Sequence, residues 1–87
     1  MLTKEIIVKN NIGLQSKTTA VFIHKANNFK SSIWIENEER KANAKSLLGL
    51  LSLGIGLGSK IILSVEGEDE ELAMQELERY LTSDSLE

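Results

Sequence analysis

Residues 44–63 read AKSLLGLLSLGIGLGSKIIL, and the fold turns on whether LLGLLSL within it (47–53) is a strand or a helix. Only Gly49 and Ser52 interrupt the apolar residues of that run, so periodicity alone leaves a buried strand and a short helix both open. Ser46 directly before it decides for a helix, because a serine oxygen in the N-cap position can accept one of the N–H groups that a first turn leaves unpaired. The glycines of GIGLGS break that element. KIILSVEG (60–67) then alternates, with Ile61, Leu63 and Val65 on one parity, as a half-buried strand does.

Working outward, LTKEIIV (2–8) places Leu2, Ile6 and Val8 on one parity of a first strand, and NNIG signals a turn. From Ser16 to Asn28 the positions Thr19, Phe22, Ile23 and Ala26, continued by Phe29, form one helical stripe, with Lys25 and Asn28 expected on a solvated back. Ser32 to Asn37 alternates around Ile33 and Ile35, a polar turn at NEER follows, and a short strand is expected at Arg40 to Asn43. Asp69 is expected to cap a last helix that has Glu70 and Glu71 in its first turn, where the helix dipole favours them, and Ala73, Leu77, Tyr80 and Leu81 on its buried stripe. The order βαββαβα implies an α+β fold, helices covering one face of a mostly antiparallel sheet. Eighty-seven residues without linker, repeat or low-complexity tract suit a single domain over 1–87.

Composition removes several kinds of chemistry. The absence of cysteine excludes disulfides, thiol nucleophiles and thiolate metal sites, and makes the cytoplasm the expected compartment. Neither a signal peptide nor a membrane span is expected, since the longest apolar region is short and glycine-rich. A net charge of −3 argues against direct nucleic-acid binding. Basic residues predominate from 4 to 60 and acidic ones from Glu66 onward, a division that suits a protein partner of mixed charge.

Most candidate sites read as ordinary structure. GIGLG lacks the spacing of a phosphate-binding loop and leads into a strand. His24, the single histidine, has Ala20, Val21, Asn27 and Asn28 as helical neighbours and no carboxylate or nucleophile among them. EGEDEE (66–71) departs from the pattern of a calcium loop. No metal or cofactor is expected. Ser46 carries a sharper reading. A phosphate there would place nearly two negative charges at a helix N-terminus, and Lys45 and Lys17 are expected to meet that charge.

GLQSKTTAVF (13–22), NAKSLLGLLSLGIGLGSKI (43–61) and GEDEELAMQEL (67–77), in the order βαββαβα, resemble the HPr family, the small phosphocarriers of the bacterial sugar phosphotransferase system. The resemblance spans nearly the whole chain and implies an open-faced sandwich: a four-stranded, mostly antiparallel sheet covered on one face by three helices. KSLLGLLSLG is its most specific part and resembles the regulatory serine segment of the Gram-positive members. In the carriers, the loop before the first helix holds a phosphorylatable histidine followed by an arginine and a proline. Gln15, Lys17 and Thr18 stand at the corresponding positions. A carboxamide cannot take up and return a phosphoryl group as an imidazole can, so Gln15 is a degenerate carrier position.

Glutamine there with the serine segment intact is similar to the catabolite-repression (Crh-type) branch. That resemblance implies a regulatory protein rather than an enzyme, phosphorylated on Ser46 by HPr kinase/phosphorylase and acting as corepressor of a LacI-type catabolite control repressor. Gln15, Lys17, Ala20, Val21, Leu47, Leu48 and Leu51 would form the docking face, with Lys17 lacking the planar fork of the family arginine. Two alternatives remain open at this point: a phosphocarrier using an unusual acceptor such as Ser16 or His24, and an unphosphorylated interaction module. Parity adds one expectation of its own. If Ile33, Ile35, Ile61 and Leu63 face the helices, Ile7, Trp34 and Ile62 point to the open side of the sheet and invite a weak homodimer.

Overall fold

Alternation in three strands lays the floor of the core. The structure, a computed structural model, describes residues 1–9 and 16–83. In chain order its elements are β1 (Leu2–Ile7), α1 (Ser16–Ala26), β2 (Ser32–Asn37), β3 (Arg40–Asn43), α2 (Leu47–Ser52), β4 (Lys60–Glu66) and α3 (Glu70–Leu81). The sheet order is β1-β4-β2-β3, with every neighbouring pair antiparallel. Ile6 lies opposite Ile61, and Leu63 opposite Ile35, so the inward residues of the central strands meet in register. These residues, together with Val8, Ile33 and Val65, are buried beneath Phe22 and Ala26 of α1, Leu50 of α2, and Ala73, Leu77 and Leu81 of α3. This is the open-faced sandwich expected, with the helices on one face and the other face bare among the described residues.

The helix–strand question at 47–53 resolves as helix. Ser46 has extended backbone angles (φ −107°, ψ 116°), and its Oγ accepts the Gly49 N–H at 3.1 Å. The helix is short because Leu53 N–H turns back to the Leu50 carbonyl and Gly54 takes φ +64°, a left-handed conformation that glycine adopts without a Cβ clash. One face of so short a helix reaches the core: Leu50 is fully buried, while Leu47, Leu48 and Leu51 are not.

The packing of α1 against α3 differs in one respect from the sequence reading. Lys25 does not lie on a solvated back: its ammonium donates to Glu76 at 3.0 Å and stands 5.6 Å from the Tyr80 ring centre. An amphipathic chain can lay its methylenes along a neighbouring helix while keeping its charge at the rim. The ion pair holds the Glu76 carboxyl below its ordinary range, Lys25 contributing most and Arg79 next. Tyr80 donates its hydroxyl to the Thr18 carbonyl at 3.2 Å, and burial raises its pKa.

Asp69 also departs from expectation. It occupies the N-cap position of α3, yet its side chain makes no capping bond. Its carboxylate instead accepts from Lys30 N–H, Ser31 N–H and the Ser31 hydroxyl, stapling the α1–β2 connection to the start of α3. Those bonds, the Ser31 hydroxyl foremost, lower its pKa. Gly67 makes the close approach possible, since a Cβ there would lie 2.7 Å from the Ser31 Cα. At the β2–β3 hairpin Glu38 and Glu39 both have positive φ (54° and 68°), the mirror-image turn that a two-residue hairpin loop demands.

Candidate functional site

The strongest candidate is the start of α2. Ser46 is half-buried, its backbone N–H donates to the Asn43 carbonyl at 3.0 Å, and its own carbonyl accepts from Leu50 at 3.0 Å. With the main chain held at both ends, the hydroxyl sits at a defined point on the surface. It acts as acceptor toward Gly49, which leaves its proton for donation.

Gly49 is a residue whose role at the site the sequence reading missed. A Cβ there would approach Ala42 Cβ and Ser46 Oγ to 3.2 Å each, so a side chain would press directly on the serine hydroxyl. The available signal was a glycine inside an otherwise leucine-rich helix, three residues after its cap, where glycine carries a cost of about 1 kcal/mol relative to alanine.

Lys45 is engaged elsewhere while Ser46 carries no phosphate. Its ammonium donates to the Phe29 carbonyl at 2.8 Å, beyond the end of α1, rather than standing over Ser46. Its backbone N–H is held by Asn43 Oδ1 at 2.8 Å. The lysine beside the serine therefore ties α2 to the α1–β2 connection in this state. Lys17, the other expected cation, is exposed in the first turn of α1.

Around the serine the helix surfaces are apolar. Leu48 is 80% exposed, Leu47 45% and Leu51 37%, a density of bare leucine that plain solvent does not favour. Helix α1 packs against α2. It contributes the exposed Lys17 and Ala20, while Val21 is half-buried and packs on the core. Gln15 lies outside the described residues.

His24 is exposed on α1, and Ser16 is the exposed first residue of that helix. Among the described residues no group of three or more His, Cys, Asp and Glu side chains could hold a metal ion, and no helix is long and apolar enough to cross a membrane. A hollow of about 640 Å³ opens beside the far face of the sheet, lined by Glu5, Glu36, Glu38, Glu39 and Lys60 over Ile62. Ser59, the hydroxyl on its wall, accepts the Gly56 N–H at 3.0 Å as a turn staple. Ile7 (51% exposed) and Trp34 (36%) lie on that far face with the half-buried Ile62, as parity predicted.

Comparison with known proteins agrees with this geometry. Residues 2–83 match the family described as PTS HPr component phosphorylation site. The HPr-like protein Crh of Halalkalibacterium halodurans is 47% identical over 81 residues, covering 93% of this chain and 96% of that protein. Among solved structures, the phosphocarrier protein HPr of Bacillus anthracis superposes with a TM-score of 0.90 at 40% identity, over 92% of this chain and 95% of its own. The catabolite repression protein Crh of Bacillus subtilis superposes with a TM-score of 0.78 at 36% identity, over the full length of both chains, and its crystal structure is a domain-swapped dimer.

Proposed function

Because the chain belongs to the HPr family, we propose that it is a regulatory member of that family, phosphorylated on Ser46 and without sugar phosphotransfer activity of its own. The observation that carries the reading is a half-exposed serine hydroxyl at a helix start, bordered by Leu47, Leu48 and Leu51 standing in solvent. An HPr kinase/phosphorylase would transfer the γ-phosphoryl of ATP to Ser46 Oγ, with a base on the kinase taking the hydroxyl proton. The phosphate replaces a neutral acceptor by a dianion at a helix start, where the Gly49 N–H already meets the hydroxyl and the helix dipole favours negative charge, so the fold can carry it.

The phosphorylated face would then bind a LacI-type catabolite control regulator, the whole chain acting as one HPr-like domain. Leu47, Leu48 and Leu51 with Ala20 and Val21 supply the apolar contact, Gln15 and Lys17 the polar rim, and phosphoserine pairs with arginine on the regulator. Since Lys45 is held by the Phe29 carbonyl, the partner supplies most of the positive charge. Lys17 cannot make the bidentate contact an arginine would.

Binding to a LacI-type regulator tests the reading. Chain phosphorylated on Ser46 is expected to bind at least about tenfold more tightly than unphosphorylated chain, a difference of about 1.4 kcal/mol. Leu48→Ala should remove most of the binding while leaving phosphorylation intact. Equal binding with and without phosphate would overturn the proposal in favour of an unphosphorylated interaction module. Acid-labile phosphate after incubation with enzyme I and phosphoenolpyruvate would favour a carrier acting through His24 or another acceptor.

A further inference from the structure

The bare face of the sheet carries its apolar residues in an ordered way. Ile7 lies opposite Lys60, Ile62 between Glu5 and Glu36, and Trp34 opposite Ser64. Ile7 on β1, Ile62 on β4 and Trp34 on β2 therefore step one strand across and one outward position along each time, forming a diagonal stripe. Neighbours on such a diagonal stand about 7–8 Å apart, within reach of isoleucine and tryptophan side chains. Charged residues line both sides: Glu5 and Lys60 near one end, Lys41 and Glu66 near the other. Lys41 lays its ammonium 5.4 Å from the Trp34 ring centre, at the rim of the stripe.

We propose that this face binds a second copy of the same chain, sheet to sheet, about a two-fold axis lying along the Ile7–Ile62–Trp34 diagonal. The charge pattern selects both the occupant and the axis. Reflecting the register across the diagonal places Glu5 opposite Lys60 of the second copy and Lys41 opposite Glu66 of the second copy, while Ile62 meets itself. Each opposed pair occurs twice, so the face is self-complementary as a two-fold contact requires. The Glu5 and Lys60 side chains are 62% and 63% exposed and 3.9 Å apart, so they are free to re-pair across the contact.

Its size makes the association weak. The four strands and four outward rows that reach from Ile7 to Lys41 and Glu66 cover roughly 500 Å² per copy from strand and residue spacings, below the about 800 Å² per partner of a stable interface. Sheet twist of about 20–25° per strand further confines close contact to the stripe. The dimer is thus one of rapid exchange, unlike one formed by exchanging a chain segment.

Sedimentation equilibrium of the full chain from about 10 µM to about 1 mM should show a reversible monomer–dimer shift, with Trp34 emission moving to the blue as dimer forms. Trp34→Lys should weaken association at least about tenfold. Glu5→Lys or Lys60→Glu alone should weaken it about three- to tenfold, and the two together should restore it. Monomer mass throughout the range would overturn the proposal. So would a dimer that Trp34→Lys leaves intact and that persists on dilution, or a charge-swapped double variant no better than either single one.

Discussion

Among the described residues two helices start at a polar residue in the N-cap position, and the two residues behave differently. Ser46 caps its own helix, accepting from Gly49, and remains half-exposed. Asp69 leaves its helix uncapped by its side chain and binds Lys30 and Ser31, nearly forty residues away in sequence. The stronger acceptor is committed to tertiary structure, and the weaker serves a local helix and stays within reach of another protein. A cap residue is thus a candidate for modification when its bonds are local, because altering it disturbs one turn rather than the join between two parts of the fold.

Substitutions around both starts can break or sharpen this contrast. The largest effect is expected inside α2: Leu50→Ala should cost about 2–5 kcal/mol in denaturant unfolding, since Leu50 is fully buried. Leu48→Ala, two residues away, should stay within about 0.5 kcal/mol. Equal losses would mean that the exposed leucines belong to the core.

Next is Gly67→Ala, which sets a Cβ against the Ser31 backbone and should destabilise by about 1–3 kcal/mol, read as a lowered thermal midpoint. An unchanged midpoint would show that the Asp69 staple tolerates displacement. Ser46→Ala removes only a local cap and should cost about 1 kcal/mol. A loss as large as that of Leu50→Ala would contradict the view that Ser46 is held by one turn alone.

The smallest effect is confined to acid. Asp69 has a pKa lowered by its Ser31 and Lys30 hydrogen bonds. Its contribution is therefore present above the ordinary carboxylate range and lost as pH falls through the lowered value. Asp69 is half-buried at the surface, and solvent screening keeps this contribution small. Asp69→Asn should be less stable than the parent at neutral pH and converge with it in acid. Parallel pH profiles would show that the staple carries no charge dependence.

Much of this was legible in the sequence where the physics is local. The parity of Ile61, Leu63 and Val65 identifies β4 and its buried face, and Ser46 resolves a run whose periodicity is ambiguous. The same parity puts Trp34 and Ile62 on the bare face. The partners of Asp69 and Lys25 were not legible, because those bonds join residues 38 and 51 positions apart and depend on how helices and loops dock. Local rules assign Asp69 to its own helix, and only the approach of Ser31 over Gly67 redirects it. The commitment of Lys45 to Phe29 was hidden for the same reason. At the site, Ser46 was legible as a helix-start hydroxyl able to carry a phosphate, and the resemblance to the HPr family sharpened that reading, but the tight seat of Gly49 against Ser46 and Ala42 required the packed hairpin to be seen.

The central claim is that the hydroxyl at the start of α2 receives the phosphate and that position 15 does not. Intact-mass and peptide mapping after incubation with HPr kinase/phosphorylase and ATP tests it most directly. One acid-stable phosphate on Ser46, absent from Ser46→Ala, is the predicted result; an unmodified chain, or phosphate on any other residue, would contradict the account.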